Sequence, residues 1–197
     1  MTFDLLAEQR SPDTSQKLLL HGVSWEKYEA FLELLGDDFP SLRLKYLDGT
    51  LQFVSPSRNH EFIKRNIARL LDAYLEETRT PFFGLGSTTF RRKVKSRGIE
   101  PDECYCFGEE KSRPDLAIEV VFTSGGIDSL AIYEGLEVPE VWFWENGRFT
   151  IFCLGEKGYV ECERSQQLPS LDIGLLSQYV TAENPLDAVI EFRKQIL

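Results

Sequence analysis

The chain has 197 residues, of which 42% are hydrophobic and 27% are charged, so its size and composition suit one globular domain rather than a disordered chain. A net charge of −10 argues against a generic nucleic-acid binder, because such proteins gain affinity from lysines and arginines that neutralise phosphates. This charge does not exclude a nuclease, since the carboxylates of a metal site add negative charge locally.

The N-terminal sequence and the cysteines indicate the compartment. The N-terminus lacks the basic flank and apolar core of a secretory signal peptide, and no run approaches the roughly 20 apolar residues of a membrane span. None of the cysteines forms the C-x-x-C pair of a zinc site, so we expect reduced structural thiols. We therefore predict a cytoplasmic protein with no membrane partner.

The first predicted elements are a helix and a hairpin. Apolar residues recur at helical spacing between Ser24, a good N-cap, and Gly36, which favours a helix end. Alternating runs at 42–47 and 50–54, joined by Asp-Gly, predict a hairpin, because the tight primed turn needs positive φ. The first residues of the chain lack periodicity, so we predict an N-terminal extension over residues 1–20 and a single domain over residues 21–197.

From residue 58 onward, hydrophobic spacing changes repeatedly between the helical and the strand period. It predicts helices at 58–78, 128–136, 173–180 and 185–195, and strands at 87–93, 101–107, 115–122, 138–144, 148–154 and 159–163. Such an order predicts a mixed sheet with helices against its faces, which is an α/β fold of the α+β mixed-sheet kind.

Carboxylates occur inside the most apolar of these strands. Asp115 and Glu119 share one face of the strand predicted at 115–122, because side chains alternate with period two. Asp102 adds a third carboxylate in the neighbouring strand. A carboxylate in so apolar a strand is costly unless it is paired or bound to metal. Either Asp115 begins its strand in solvent while Glu119 pairs with an arginine, or these side chains hold a hard cation such as Mg²⁺.

Two basic patches stand out against the acidic composition. One comprises Arg91, Arg92, Lys93, Lys95 and Arg97, and the other comprises Lys64, Arg65 and Arg69 on the long predicted helix. Each patch is either a solvated face or a contact for nucleic-acid phosphates.

Two further features have both a functional and a structural interpretation. The aromatic residues Trp142, Phe143 and Trp144 could stack on bases, but packing in the sheet or a dimer contact is the simpler interpretation. The loop at 123–126 precedes a predicted helix and could cradle a phosphate. It lacks the lysine of a P-loop, which favours a plain connection.

Several motifs together resemble a known family. They lie, in order, at residues 46–49, 55–61, 86–93, 102–105, 113–120 and 138–142. They resemble the Uma-two family of putative restriction endonucleases, within the PD-(D/E)XK nuclease superfamily. The resemblance implies a restriction-endonuclease-like core, preceded by a helix and hairpin and followed by short C-terminal helices.

The resemblance also implies roles for individual residues. Asp102, as the aspartate of the PD motif, and Glu119, as the acidic residue of the E-x-K motif, would be catalytic metal ligands for Mg²⁺ (or Mn²⁺). Glu61 would be an outer acidic residue, and Asp115 a supporting one. The implied activity is hydrolysis of phosphodiester bonds in DNA by a homodimeric endonuclease. From the basic patches, the expected contacts to DNA are Arg91, Arg92, Lys93, Lys64 and Arg65, and His60 would either contact phosphate or cap its helix.

The chain departs from the family pattern at its basic residue. The E-x-K motif places lysine at position 121, where this chain has Val121, and the alternative position on the following helix holds Ser129. A base could come from the 91–93 run or from the 64–65 pair. Three functions stay open: an active nuclease, a catalytically inactive relative that binds nucleic acid or a protein partner, and a protein unrelated to nucleic acid.

Overall fold

A computed structural model describes residues 15–36, 38–39, 42–122 and 125–196 of the chain. Its strands are β1 (Gln16–His21), β2 (Arg43–Leu47), β3 (Thr50–Ser55), β4 (Phe82–Gly84), β5 (Phe90–Arg92), β6 (Arg97–Ile99), β7 (Glu103–Phe107), β8 (Leu116–Val121), β9 (Glu140–Glu145), β10 (Arg148–Gly155) and β11 (Gly158–Cys162). Its α-helices are α1 (Trp25–Leu35), α2 (Arg58–Glu77), α3 (Ser129–Leu136), α4 (Ile173–Val180) and α5 (Pro185–Ile196).

The strands form two sheets. A five-stranded antiparallel sheet has the order β1-β3-β2-β6-β5, and a six-stranded sheet has the order β11-β10-β9-β8-β7-β4. Within the second sheet β8 and β9 run parallel, with α3 as the crossover between them, and the other pairs are antiparallel. The predicted α+β fold with a mixed sheet is thereby confirmed, and it is consistent with a restriction-endonuclease-like core.

Alternation along β8 explains how the six-stranded sheet is covered on both faces. Leu116, Ile118 and Val120 pack into a core formed with α2, α4 and α5. Ala117 packs on the opposite face, in a core that includes Ile132 of α3. Glu119 therefore emerges on the α3 face of an otherwise apolar strand.

Helix α3 lies between the two sheets. It contacts β2, β5 and β6 of the five-stranded sheet, and its buried residues share a core with Val141 of β9. The other face of the five-stranded sheet is covered by α1, where Tyr28 packs against Leu44 and Tyr46 of β2. Since these β2 residues face α1, Arg43 and Lys45 face the six-stranded sheet instead.

The long helix α2 begins at its N-cap Ser57, whose hydroxyl accepts a hydrogen bond from the backbone N–H of His60. Its buried face carries Ile63, Ile67, Leu70 and Leu71, at positions i, i+4, i+7 and i+8, as an amphipathic helix requires. Within the described part of the chain, no helix is both long and apolar enough to cross a membrane.

Three short strands, β1, β4 and β6, are absent from the sequence prediction. Residues 16–20, predicted as part of an extension, belong to β1, which pairs with β3 along its whole length. Most side chains of β1 are exposed on this sheet edge, so its sequence does not alternate visibly. The strand predicted at 87–93 is shorter, because a 3₁₀ turn at Lys93–Lys95 and a left-handed Ser96 (φ 50°) reverse the chain into β6. The rest of the predicted extension lies outside the described residues.

Glu140 is a buried carboxylate with a structural role. Glu140 of β9 is completely buried and accepts hydrogen bonds from the indole of Trp142, the hydroxyl of Ser165 and the backbone N–H groups of Gln166 and Gln167. This carboxylate fixes the loop that follows β11.

The four cysteines are free thiols, as predicted from their spacing.

Replacing Glu140 with alanine should leave these buried donors without an acceptor, which costs more than the loss of the bonds themselves. We expect the free energy of unfolding of Glu140→Ala to fall by about 3 kcal/mol or more, measured by urea denaturation. The matched control is Glu161→Ala on the exposed face of β11, which should change stability by less than about 0.5 kcal/mol. Equal effects of the two substitutions would contradict this account of Glu140.

Candidate active site

A cavity of about 440 Å³ lies between the two sheets. Its walls come from β1, β2 and β3 on one side and from β8, β9 and β10 on the other, and the first residues of α2 and α3 lie at its margin. Asp102 and Glu119, the two metal ligands implied by the family resemblance, both line this cavity. The sequence therefore predicted two residues that the fold brings together.

Asp102 is held by hydrogen bonds at one of its oxygens. It lies just before β7 and is 6% exposed. Its Oδ2 accepts a hydrogen bond of 2.8 Å from the backbone N–H of Val120 and lies 3.1 Å from Nε2 of His60. Because Val120 follows Glu119 directly, this bond fixes the Asp102 carboxylate against the strand that carries Glu119.

Glu119 is the more deeply buried carboxylate, with 4% exposure. Its Oε1 accepts a hydrogen bond of 2.6 Å from the hydroxyl of Tyr133 in α3, and its Oε2 accepts one of 2.9 Å from Nζ of Lys45. Burial raises the pKa of Glu119, and the positive charge of Lys45 opposes that rise while the charge of Asp102 adds to it. The ion pair is what makes a charged Glu119 tolerable at this depth.

Lys45 is the functional residue that the sequence analysis missed. It comes from β2 of the other sheet, and its Nζ lies 2.9 Å from both Oε2 of Glu119 and Oγ of Ser129. Its ammonium group thus contacts the two places that matter for the family pattern: the acidic residue of the E-x-K motif and Ser129, at the alternative lysine position. Val121 lines the same cavity but has no charge to offer.

His60 and Glu61 lie together at the start of α2. Burial alone would lower the pKa of His60, but its hydrogen bond to Asp102 and its closeness to Glu61 raise that pKa to about 9, so the ring is a cation at neutral pH. His60 lines the cavity, whereas Glu61 does not. His60, 3.7 Å from Oε1, and Lys64, 3.2 Å from Oε2, lower the pKa of Glu61 to about 2. The distance of 3.7 Å suits an ion pair but exceeds a hydrogen bond.

The predicted basic residues lie outside the cavity. Lys64 pairs with Glu61 and donates a hydrogen bond to Ser87, and Arg65 is exposed on α2. The 91–93 run pairs one by one with acidic partners: Arg91 with Glu29 and Lys93 with Glu26, both of α1, and Arg92 with Glu137 at the end of α3. None of these five basic residues lines the cavity, so the structure gives no support to the suggestion that one of them replaces the motif lysine.

Asp115 is also separated from the cavity. Its Oδ2 accepts hydrogen bonds of 2.7 Å from the backbone N–H of Phe107 and from Nζ of Lys111. It precedes β8, about 13 Å along the strand from Glu119 at a rise of roughly 3.3 Å per residue. Asp115 lies outside β8, and its contacts are those of a structural carboxylate that connects β7 to β8.

The donor set at the cavity fits a hard cation with few protein ligands. Asp102 and Glu119 supply carboxylate oxygens, and Mg²⁺ binds through one or two carboxylates while it keeps waters and substrate oxygens as its other ligands. Within the described ranges, no group of three or more His, Cys, Asp or Glu side chains could hold a metal ion. The described residues therefore do not indicate a structural site in which protein side chains supply all the ligands. The two carboxylates instead fit a site that leaves coordination positions for water and substrate.

Comparison with known proteins adds a family to this geometry. A family model described as putative restriction endonuclease matches residues 25–182, which covers the stretch from α1 to the end of α4 and includes Lys45, Asp102 and Glu119. No curated protein matches the chain.

The ion pair between Lys45 and Glu119 can be measured by a double-mutant cycle. Lys45→Met and Glu119→Gln should each lower the free energy of unfolding, and the cycle should give a favourable coupling of about 1–3 kcal/mol, because the two side chains are only 14% and 5% exposed. The matched control is the pair Lys93 and Glu26, 65% and 70% exposed, whose coupling should stay below about 1 kcal/mol. Equal couplings in the two cycles would contradict the assignment of a buried pair.

Proposed function

Because the chain belongs to the Uma-two family of putative restriction endonucleases, we propose that it is a metal-dependent endonuclease that hydrolyses phosphodiester bonds in DNA. The observation that carries this proposal is the contact of Lys45 with Glu119 beside Asp102. It supplies, from a different strand, the positive charge that the E-x-K motif of this chain lacks.

Asp102 and Glu119 would hold Mg²⁺ or Mn²⁺ at the cavity. A bound cation of this kind supplies Lewis-acid polarisation of the scissile phosphate and a water of lowered pKa. The protein's own contribution is to fix its two carboxylates before the substrate arrives: the N–H of Val120 and the ring of His60 hold Asp102, and the hydroxyl of Tyr133 holds Glu119.

Lys45 acts as the electrostatic partner of the reacting phosphate. An ammonium group has three N–H donors, and two of them are used by Glu119 and Ser129. The third can donate to the attacking water or to a phosphate oxygen as negative charge develops there. Burial strengthens this interaction, because the cavity screens charge less than water does.

An inactive relative that binds nucleic acid or a protein partner is the second candidate. Two observations favour it: Val121 stands at the motif position, and both oxygens of Glu119 already accept hydrogen bonds from the protein. A protein unrelated to nucleic acid is less well supported, since a cavity does join Asp102 to Glu119, although Glu61 lies outside it. The homodimer and the cytoplasmic location stay predictions from the sequence.

Cleavage of supercoiled and linear DNA with Mg²⁺ or Mn²⁺ tests the proposal. We expect the parent protein to cut DNA, chelation of the metal to stop it, and Glu119→Gln and Lys45→Met each to slow cleavage by about 100-fold or more, the usual effect of removing a group that stabilises transition-state charge. The matched controls are Glu156→Gln and Lys157→Met in the exposed turn between β10 and β11, which should cut like the parent.

A second variant keeps this test decisive for Lys45. In the Lys45→Met background, Ser129→Lys should restore part of the activity, because position 129 contacts the ammonium of Lys45 in the parent. Cleavage by Lys45→Met at the parental rate would contradict the role assigned to Lys45. Absence of cleavage by the parent, with every DNA form and both metals, would favour the inactive relative.

A further inference from the structure

One wall of the cavity is cationic. In the five-stranded sheet, Lys17 of β1 and Arg43 of β2 both pair with Val54 of β3, so the two side chains lie in one cross-strand row on the same face. Lys45 lies two residues along β2 on that face. All three basic residues line the cavity, and Nζ of Lys17 donates a hydrogen bond to the backbone carbonyl of Gly125.

The charges of this wall act on one another and on the catalytic carboxylate. Burial lowers the pKa of Lys17, the positive charge of Lys45 lowers it further, and the negative charge of Glu119 opposes both. Lys17, Lys45 and Glu119 are thus close enough for the charge of each to affect the others. A bound anion would relieve the repulsion between the two lysines.

The opposite wall is aromatic. Phe143 of β9 is the register partner of Glu119 in the parallel β8–β9 pair, so its ring lies one strand away from the carboxylate. Phe152 of β10 faces the same side, and the two rings are in edge-to-face contact with centroids 5.8 Å apart. Both rings are half-buried and line the cavity. Phe122, which is 43% exposed and follows β8, extends the apolar rim to His60.

We propose that the cavity takes a single unpaired nucleotide, with its base on the aromatic wall and its phosphates toward the cationic wall. The substrate is then single-stranded DNA, or a strand that has left its duplex at the point of cleavage, rather than continuous duplex. This inference rests on the proposed nuclease function and names the substrate class of the same site.

The burial of the carboxylates requires the substrate to enter the cavity. Asp102 and Glu119 are almost completely covered, so a phosphodiester reaches them only inside the space between the sheets. About 440 Å³ falls in the range of small-ligand sites. A nucleotide reaches such a site only from a single strand or after leaving the base stack.

The two walls also match the two halves of a nucleotide. Proteins that bind single strands combine a basic track for the backbone with aromatic side chains on which bases stack. Here both features line one cavity and flank the proposed reacting centre. The net charge of −10 adds a reason for this arrangement, since an acidic protein surface repels long duplex DNA except where local basic residues attract it.

The test compares a single-stranded oligonucleotide, a blunt duplex of the same sequence and the same duplex with an unpaired internal stretch. Cleavage is followed with Mn²⁺, and binding is followed by fluorescence anisotropy in the presence of a chelator. We expect the single strand and the unpaired stretch to be cut and bound at least about tenfold better than the blunt duplex, the scale of one base-stacking contact.

Phe152→Leu tests whether the aromatic wall binds the base. It should weaken single-strand binding by about tenfold, because it removes the ring but keeps an apolar side chain. The matched control is Phe149→Leu, on the same strand but on the opposite face against Trp142, which should bind like the parent. Lys17→Met should weaken binding and reduce its dependence on salt concentration, because it removes a cation that faces the phosphates. This result does not depend on how well the two aromatic variants fold.

The outcomes separate this inference from the proposed function. Cleavage of blunt duplex as fast as single strand, dependent on Lys45 and Glu119, would overturn the inference and leave the nuclease proposal standing. Equal effects of Phe152→Leu and Phe149→Leu on binding would also overturn the inference. If no DNA is cut by the parent, the nuclease proposal fails and the inference fails with it.

Discussion

The ion pair between Lys45 and Glu119 joins the two sheets at a carboxylate that is buried in an otherwise apolar strand. Glu119 lies in β8 among residues that form two apolar cores, and an unpaired carboxylate at that depth would be protonated or would destabilise the domain. Lys45 and Tyr133 each contact one of its oxygens, one from β2 and the other from α3. The Glu119 carboxylate therefore connects β8 to both the five-stranded sheet and α3.

The remaining features of the site follow from that arrangement. Because β2 faces the six-stranded sheet with Arg43 and Lys45, the space between the sheets acquires positive charge directly opposite two carboxylates. Asp102 is fixed beside β8 by the N–H of Val120 and by the cationic ring of His60. The outcome is a cavity with fixed charges of both signs, which is the arrangement that stabilises a reacting phosphate without reorganisation of the protein.

The sequence predicted the fold class, most helices and strands, and Asp102 and Glu119, the two buried carboxylates of the cavity centre, because each of these depends on local periodicity or on a family motif. It did not predict Lys45 as a site residue. The strand periodicity shows that Arg43 and Lys45 share a face, but nothing local indicates that this face meets β8, whose Glu119 lies 74 positions away. The family resemblance implied a supporting role for Asp115, whereas its contacts with Lys111 and Phe107 depend on the turn between β7 and β8, which the sequence does not predict.

We propose that Asp102 and Glu119, and not Asp115, form the metal-binding pair of this chain. Titration calorimetry with Mn²⁺ tests it directly. The account predicts that the parent protein and Asp115→Asn bind Mn²⁺ alike, and that Asp102→Asn and Glu119→Gln bind it at least about tenfold more weakly, as expected when one of two carboxylate ligands is lost. Unchanged binding in Asp102→Asn and Glu119→Gln, or loss of binding in Asp115→Asn alone, would contradict it.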